Sequence, residues 1–246
     1  MNINNVGIIG FGDFGQFLFA LTKEHFPNLS VKVHSSRKQS DGKDFFSLEE
    51  VCKTDLVILC VPIAAFGETV DKILPLLGNN TIVCDVATVK KHTVSILQEK
   101  KVPHYIATHP MFGPYSYAKH SNSLKDLRIA ICDTSLDNKD VKEVVEFLRS
   151  AELKVLELTA DEHDRLVAET LFLTHLVGQT VKKGGFERTS VDTVSFGFLM
   201  DAVESVAHDK ALFRDVYKYN PYCKEVLARY EKAEKEIVSS LTLKEL

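Results

Sequence analysis

"NVGIIGFGDFG", Asn5 to Gly15, joins an apolar run to glycines at positions 10, 12 and 15, and the next residues, Asp13 to Phe26, carry apolar side chains at helical spacing until Pro27. Strand, G-x-G-x-x-G turn and helix in that order are the parts of a dinucleotide-binding turn. One glycine permits the tight turn, one lets backbone approach a pyrophosphate, and one lets the helix pack on the strand, with the phosphates at the helix N-terminus. Gly10, Phe11, Gly12, Asp13, Phe14 and Gly15 are therefore expected to hold a dinucleotide.

The end of the next strand selects the cofactor. An NAD site usually places Asp or Glu there to bond the ribose hydroxyls, but this chain reads "VHSSRKQS", with no carboxylate before Asp41. Ser35, Ser36, Arg37 and Lys38 offer hydroxyls and two cations, which suit a 2'-phosphate, so NADP is expected. In "DLVILCVPI", Cys60, Val61 and Pro62 follow an apolar run without alternation and are expected to put backbone against the cofactor at the carboxyl edge of the sheet.

Seven short apolar runs, "NVGIIG", "SVKVHS", "DLVILCVP", "TIVCDVA", "HYIATHP", "LRIAIC" and "LKVLEL", alternate with helix-length segments up to about Thr159. This alternation predicts an α/β fold, a Rossmann-type mainly parallel sheet over residues 1–160. From Asp161 onward only helical stretches follow, predicting an all-helical domain over 161–246. Gly184-Gly185 reads as a helix stop and Pro221 as a first helical position.

The 246 residues carry a formal net charge of -4, which supplies no global pull toward nucleic acid or an anionic membrane, and a small molecule is the expected partner. The five cysteines include no C-x-x-C pair, and three of them sit in apolar runs, so buried free thiols in a reducing compartment and no metal are expected. Strand-like sequence begins within a few residues of Met1 and no apolar run reaches the roughly 20 residues of a membrane span, giving a cytoplasmic expectation.

Two further strand ends carry chemistry. "CDVATVK" places Thr88 and Lys90, and "ATHPMFGP" places His109, just past neighbouring strands and on the cofactor side of a parallel sheet. A neutral imidazole there can take the proton of a substrate hydroxyl as hydride leaves the same carbon, with the Thr88 hydroxyl orienting the imidazole or the substrate.

"GFGDFG", "HSSRK", "LVILCVP", "DVATVK", "THPMFGP", "EHD" and "THLVG" occur in the order and approximate spacing of the prephenate and arogenate dehydrogenase family of tyrosine biosynthesis, and the chain resembles its plant-type arogenate dehydrogenase branch over nearly its whole length. The resemblance implies oxidative decarboxylation of arogenate or prephenate with His109 as the catalytic histidine and Thr88 where members commonly have serine. It also implies a substrate-facing Thr174-His175 pair in the helical domain, an acidic position at Asp209 associated with arogenate preference, and a homodimer paired through that domain. The chain departs from the pattern at Tyr115, where many members have an acid, and at Gly178, where many bacterial members have a second histidine. Arg128, Arg165, Arg188 and Arg214 are candidates for the substrate carboxylates. "EHDR" is also explicable as a charged first helical turn with Asp161 as its cap.

Two other readings are open. A β-hydroxyacid dehydrogenase or imine reductase would use a lysine of the helical domain, for which Lys182 and Lys183 are available, and a dinucleotide sensor would need no base at His109.

Overall fold

The computed structural model describes residues 3–242. In chain order the first part comprises β1 (Asn5–Ile9), α1 (Asp13–His25), β2 (Ser30–His34), α2 (Leu48–Val51), β3 (Leu56–Leu59), α3 (Phe66–Ile73), β4 (Ile82–Asp85), α4 (Lys90–Glu99), β5 (Tyr105–Pro110), α5 (Pro114–Lys119), β6 (Arg128–Thr134), α6 (Asn138–Ser150) and β7 (Lys154–Glu157). The helices α7 (Ala160–Val167), α8 (Leu173–Lys183), α9 (Val194–Val206), α10 (Lys210–Tyr219) and α11 (Cys223–Thr242) follow. The chain divides into two compact units between His163 and Asp164.

All seven apolar runs are strands of one sheet with the order β2-β1-β3-β4-β5-β6-β7. β1 to β5 are mutually parallel, β6 runs antiparallel to β5, and β7 is parallel to β6. The absence of alternation in "DLVILCV" has a direct cause. Val57 and Leu59 pack with Phe66, Val70 and Leu97 in one core, while the intervening Ile58 packs with Val6, Ile8, Ile106 and Val145 in another. Successive side chains of a strand point to opposite faces, and here both faces are covered.

From β1 the chain crosses to one side to form β2 and then returns to form β3 on the other side. A crevice opens outside the carboxyl ends of strands where the order reverses in this way. That switch point is the glycine turn.

In the second unit, α7 and α8 form one rod interrupted by a wide π turn at Ala168–Phe172, where the sequence suggested an uninterrupted helix. Phe172 stacks on Phe213 of α10 with ring centroids 5.5 Å apart. Gly178 is buried, and a Cβ there would lie 2.4 Å from Val206 Cγ2 of α9, so close helix packing accounts for the glycine. α8 stops at Gly184, followed by Gly185 at φ +76°. Pro221 lies in a turn and α11 begins two residues later, at Cys223, because Asn220 caps that turn by accepting the Tyr222 amide on its side chain.

Candidate active site

The three glycines of the turn do three different things. Gly10 sits at φ +103°, and a Cβ on it would lie 2.1 Å from the Cys60 carbonyl oxygen, so only glycine lets β1 and the end of β3 come together. Cys60 closes that approach by donating its amide to the Ile9 carbonyl at 2.8 Å. Gly15 abuts the turn itself, where a Cβ would lie 2.2 Å from the Gly10 carbonyl oxygen. Gly12 differs, because a Cβ there would meet nothing within 4 Å. Packing does not require that glycine, and the open space over its backbone fits a ligand that must approach closely. Gly12 is also the N-cap of α1 and supplies no side-chain cap, so the first-turn amides, including those of Asp13 and Phe14, remain for an anion. These residues fit a dinucleotide.

At the end of β2 the His34 carbonyl accepts the Gly10 amide at 2.9 Å, tying the ribose-side turn to the glycine turn. Ser35 is half-buried, and Ser36, Arg37 and Lys38 are exposed. The Arg37 side chain has no acidic partner among the described residues, and Lys38 lies over the Phe45 ring at 5.7 Å. Asp41, the first acid after the strand, accepts the amides of Lys43, Asp44 and Phe45 at 2.9 Å each. It caps its own loop. These bonds hold its carboxyl below the ordinary value.

The ends of β4 and β5 carry a buried polar network. Asp85, Lys90, Thr93 and Thr108 are all at most 3% exposed. The Lys90 ammonium donates to Asp85 Oδ2 at 2.5 Å and to the Thr108 carbonyl at 2.6 Å, and Ala87 donates its amide to Asp85 Oδ1 at 2.8 Å. Thr108 Oγ1 donates to the Asp85 carbonyl at 3.0 Å. A buried ion pair is kept only with such supporting hydrogen bonds, and here it clamps the residue immediately before His109.

His109 is the penultimate residue of β5 rather than lying just past it, because pairing with β6 carries the strand to Pro110. β4 is matched to β5 only as far as Ala107, so His109 stands beyond the end of its parallel neighbour. The imidazole is 4% exposed. Its Nδ1 lies 2.9 Å from Nε2 of His163, with the rings edge to face at a centroid distance of 5.0 Å. Burial, then the neighbouring His163, then the Lys90 charge hold His109 well below its ordinary value, so the ring is neutral at neutral pH. Thr88 is half-buried, and its hydroxyl bonds no described residue, the His109 imidazole included.

Sequence reasoning did not single out His163, reading "EHDR" as a charged turn. The cap of that turn is Thr159 rather than Asp161. Thr159 Oγ1 accepts the Glu162 amide at 3.2 Å while Glu162 accepts the Thr159 amide at 2.9 Å, a capping box. Asp161 instead pairs with Lys91 of α4. The T-x-x-E spacing was visible in the sequence, and it fixes the first turn of α7, in which the next residue, His163, is buried.

The second unit holds its own group of candidates. His175 is 4% exposed, stacks on Phe213 at 6.0 Å and 9°, and has an Nδ1 without a hydrogen-bond partner among the described residues. Burial pushes it below its ordinary value against the opposing pull of Asp209, which is exposed at the start of α10. The structure thus brings Asp209 within electrostatic reach of His175. Thr174 is exposed and returns its hydroxyl to the Thr170 carbonyl at 2.9 Å. Of the candidate arginines, Arg188 pairs with Asp201 and Glu204, Arg165 lies over Tyr222 at 4.7 Å, and Arg128 and Arg214 are exposed without an acidic partner among the described residues. Lys182 donates to the Ala207 carbonyl at 3.2 Å. Among the described residues no cluster of three or more His, Cys, Asp or Glu side chains could hold a metal ion.

Comparison with known proteins carries this arrangement to a family. Residues 35–157 match the model of the prephenate dehydrogenase nucleotide-binding domain, a stretch that includes the ribose-side turn, Thr88 and His109. Arogenate dehydrogenase 2, chloroplastic, of Arabidopsis thaliana is 30% identical over 96% of this chain and 70% of its own length. Arogenate dehydrogenase 1, chloroplastic, of the same plant is also 30% identical over 96% of this chain, which spans 40% of that longer protein. A crystal structure of prephenate dehydrogenase from A. aeolicus, in complex with hydroxyphenyl propionate and NAD+, has the same fold, with a TM-score of 0.71 at 20% identity over 100% of this chain and 94% of that one. With a nucleotide-binding turn, a buried histidine at the carboxyl edge and these relatives along its length, the chain belongs to the prephenate and arogenate dehydrogenase family.

Proposed function

We propose that the chain catalyses NADP-dependent oxidative decarboxylation of arogenate, with prephenate as the alternative substrate, in tyrosine biosynthesis. The observation that carries this reading is His109: a neutral, clamped imidazole at the carboxyl edge of the sheet whose Nε2 has no hydrogen-bond partner among the described residues. The glycine turn (Gly10, Phe11, Gly12, Asp13, Phe14, Gly15), Ser35 to Lys38, and Cys60, Val61 and Pro62 would hold the dinucleotide. NADP, when bound, supplies a hydride acceptor for the ring carbon that bears the substrate hydroxyl. His109 Nε2 takes the hydroxyl proton as that carbon becomes a carbonyl. Loss of the ring carboxylate as carbon dioxide returns its bonding pair to the ring, and the phenolic oxygen recovers the proton from His109. Thr88 orients the hydroxyl. A positioned imidazole base contributes about 10²- to 10⁴-fold to such a step.

Substrate choice is assigned to the helical domain. Thr174 and His175 face the substrate, and Asp209 pairs with the side-chain ammonium of arogenate, a group that prephenate replaces with a keto oxygen. Exposed apolar side chains in the same unit, Phe186 at 62%, Val194 at 76% and Phe198 at 70%, support pairing of two copies through this domain. The five free cysteines, of which burial pushes Cys52 and Cys84 up to about 11 and Cys223 up to about 12, support a reducing, cytoplasmic setting. No described helix is long and apolar enough to cross a membrane.

The test is reduction of NADP, followed by the near-ultraviolet absorbance of the product, with arogenate and with prephenate in turn. Arogenate should give the higher kcat/KM, and Asp209→Asn should lower it for arogenate by about tenfold with little change for prephenate, the scale of losing one charge pair. Reduction with neither substrate would overturn the reading. An unchanged substrate ratio in Asp209→Asn would remove Asp209 from specificity.

A further inference from the structure

Behind His109 stands a second imidazole that the reaction as written does not use. His163 is 1% exposed, and the backbone that carries it is fixed twice: its amide donates to the Thr159 carbonyl at 2.9 Å, and the capping box of Thr159 and Glu162 locks the first turn of α7. The pairing of Lys91 with Asp161 ties that turn to α4, the helix that also supplies Lys90. The 2.9 Å contact between His109 Nδ1 and His163 Nε2 is therefore an imposed meeting of two rings.

Two imidazole nitrogens in contact at this separation share one hydrogen between them. If His163 donates, His109 carries its hydrogen on Nε2 and presents a donor to the substrate side. If His109 donates, its Nε2 keeps a lone pair and can act as a base. These two states have the same composition and opposite chemistry.

We infer that His163 is a positioning residue that accepts the Nδ1 hydrogen of His109 and holds it in the base-competent tautomer. This rests on the reading of His109 as the proton acceptor. The logic is that of a buried group orienting a catalytic histidine through its second nitrogen, with one difference. The orienting group here is itself an imidazole rather than a carboxylate. The Lys90 charge opposes a second proton on His109.

Two readouts test the assignment. Nitrogen NMR of the intact chain at neutral pH, without substrate, should show His109 protonated at Nδ1 and unprotonated at Nε2. His163→Leu should yield a mixture of tautomers. In turnover, His163→Leu should lower kcat by about tenfold or more with KM and cofactor affinity nearly unchanged, whereas His163→Gln, whose terminal oxygen reaches the position of the lost Nε2, should restore most of the rate. His109 found with its hydrogen on Nε2 in the unsubstituted chain would overturn the inference, as would full kcat in His163→Leu. The NMR arm needs no turnover, so it judges the tautomer even if neither arogenate nor prephenate is oxidised, an outcome that would instead remove the proposed reaction.

Discussion

His109 and His175 are equally buried, each 4% exposed, and burial holds both below the ordinary imidazole value, yet they are built differently. His109 has a ring partner at Nδ1, a place in β5 paired with β6, and a buried ammonium nearby that opposes its charging. His175 lies on a helix, flat against Phe213, with an unsatisfied Nδ1 and an acid, Asp209, that favours its charging. A buried polar atom without a partner is uncommon in folded proteins and invites a functional account. The first histidine has a ring partner within the protein, and the second has none at Nδ1 among the described residues. In the proposed reaction the first moves a proton and the second recognises a group.

The largest effect that would sharpen this contrast comes from Lys90. Lys90→Met strands the Asp85 carboxylate in the core, with the Ala87 amide and Thr93 hydroxyl left to it among the described residues, and should cost about 3–5 kcal/mol of folding stability by denaturant titration. The same substitution removes the charge opposing protonation of His109, so the His109 value should rise toward normal. An unchanged value, read by NMR titration, would show that Lys90 does not oppose its charging.

On the cofactor side, Arg37→Ala should weaken NADP by about 10- to 100-fold, the value of one charge-assisted bond to phosphate, and leave NAD almost unchanged. Equal weakening of both dinucleotides in a binding titration would take Arg37 away from the 2'-phosphate.

The smallest effect is in the pH dependence of stability. Both histidines have folded values below the unfolded one of about 6.5, so their contribution is present above that pH and is lost as pH falls through it, because the unfolded chain then binds more protons. Each should add at most about 1.4 kcal/mol per pH unit to the slope below pH ~6.5. Circular dichroism is the suitable probe, since the chain lacks tryptophan. His175→Gln should flatten the slope by one histidine's share, and an unchanged slope would show that His175 is not buried neutral.

What was legible in the sequence follows from which interactions are local. The glycine turn was readable because the turn, its approach to Cys60 and its helix are dictated by positions 10 to 15 and one neighbouring strand end. All seven strands were readable because two-sided burial and bounding turns leave a pattern in each run. The π turn at Ala168–Phe172 was not, since nothing in "AETLF" departs from helical periodicity, and the stacking of its Phe172 on Phe213 exists only in the fold. The partner of His109 was hidden for a similar reason. His163 lies 54 positions away, and only the folded sheet and the cap at Thr159 bring the rings together. Lys90 was visible in the sequence as a residue past a strand end, but Asp85 was not singled out, and their pairing in the core is a product of the fold.

The account stands on His109 as the group that takes the substrate proton. The most direct measurement is kcat for His109→Ala with NADP and arogenate, beside the dissociation constant of NADP for the same variant. The account predicts a fall in kcat of about 10²-fold or more, with dinucleotide affinity within about twofold of the unsubstituted chain. Near-normal turnover would contradict it and reduce "THPMFGP" to a structural turn.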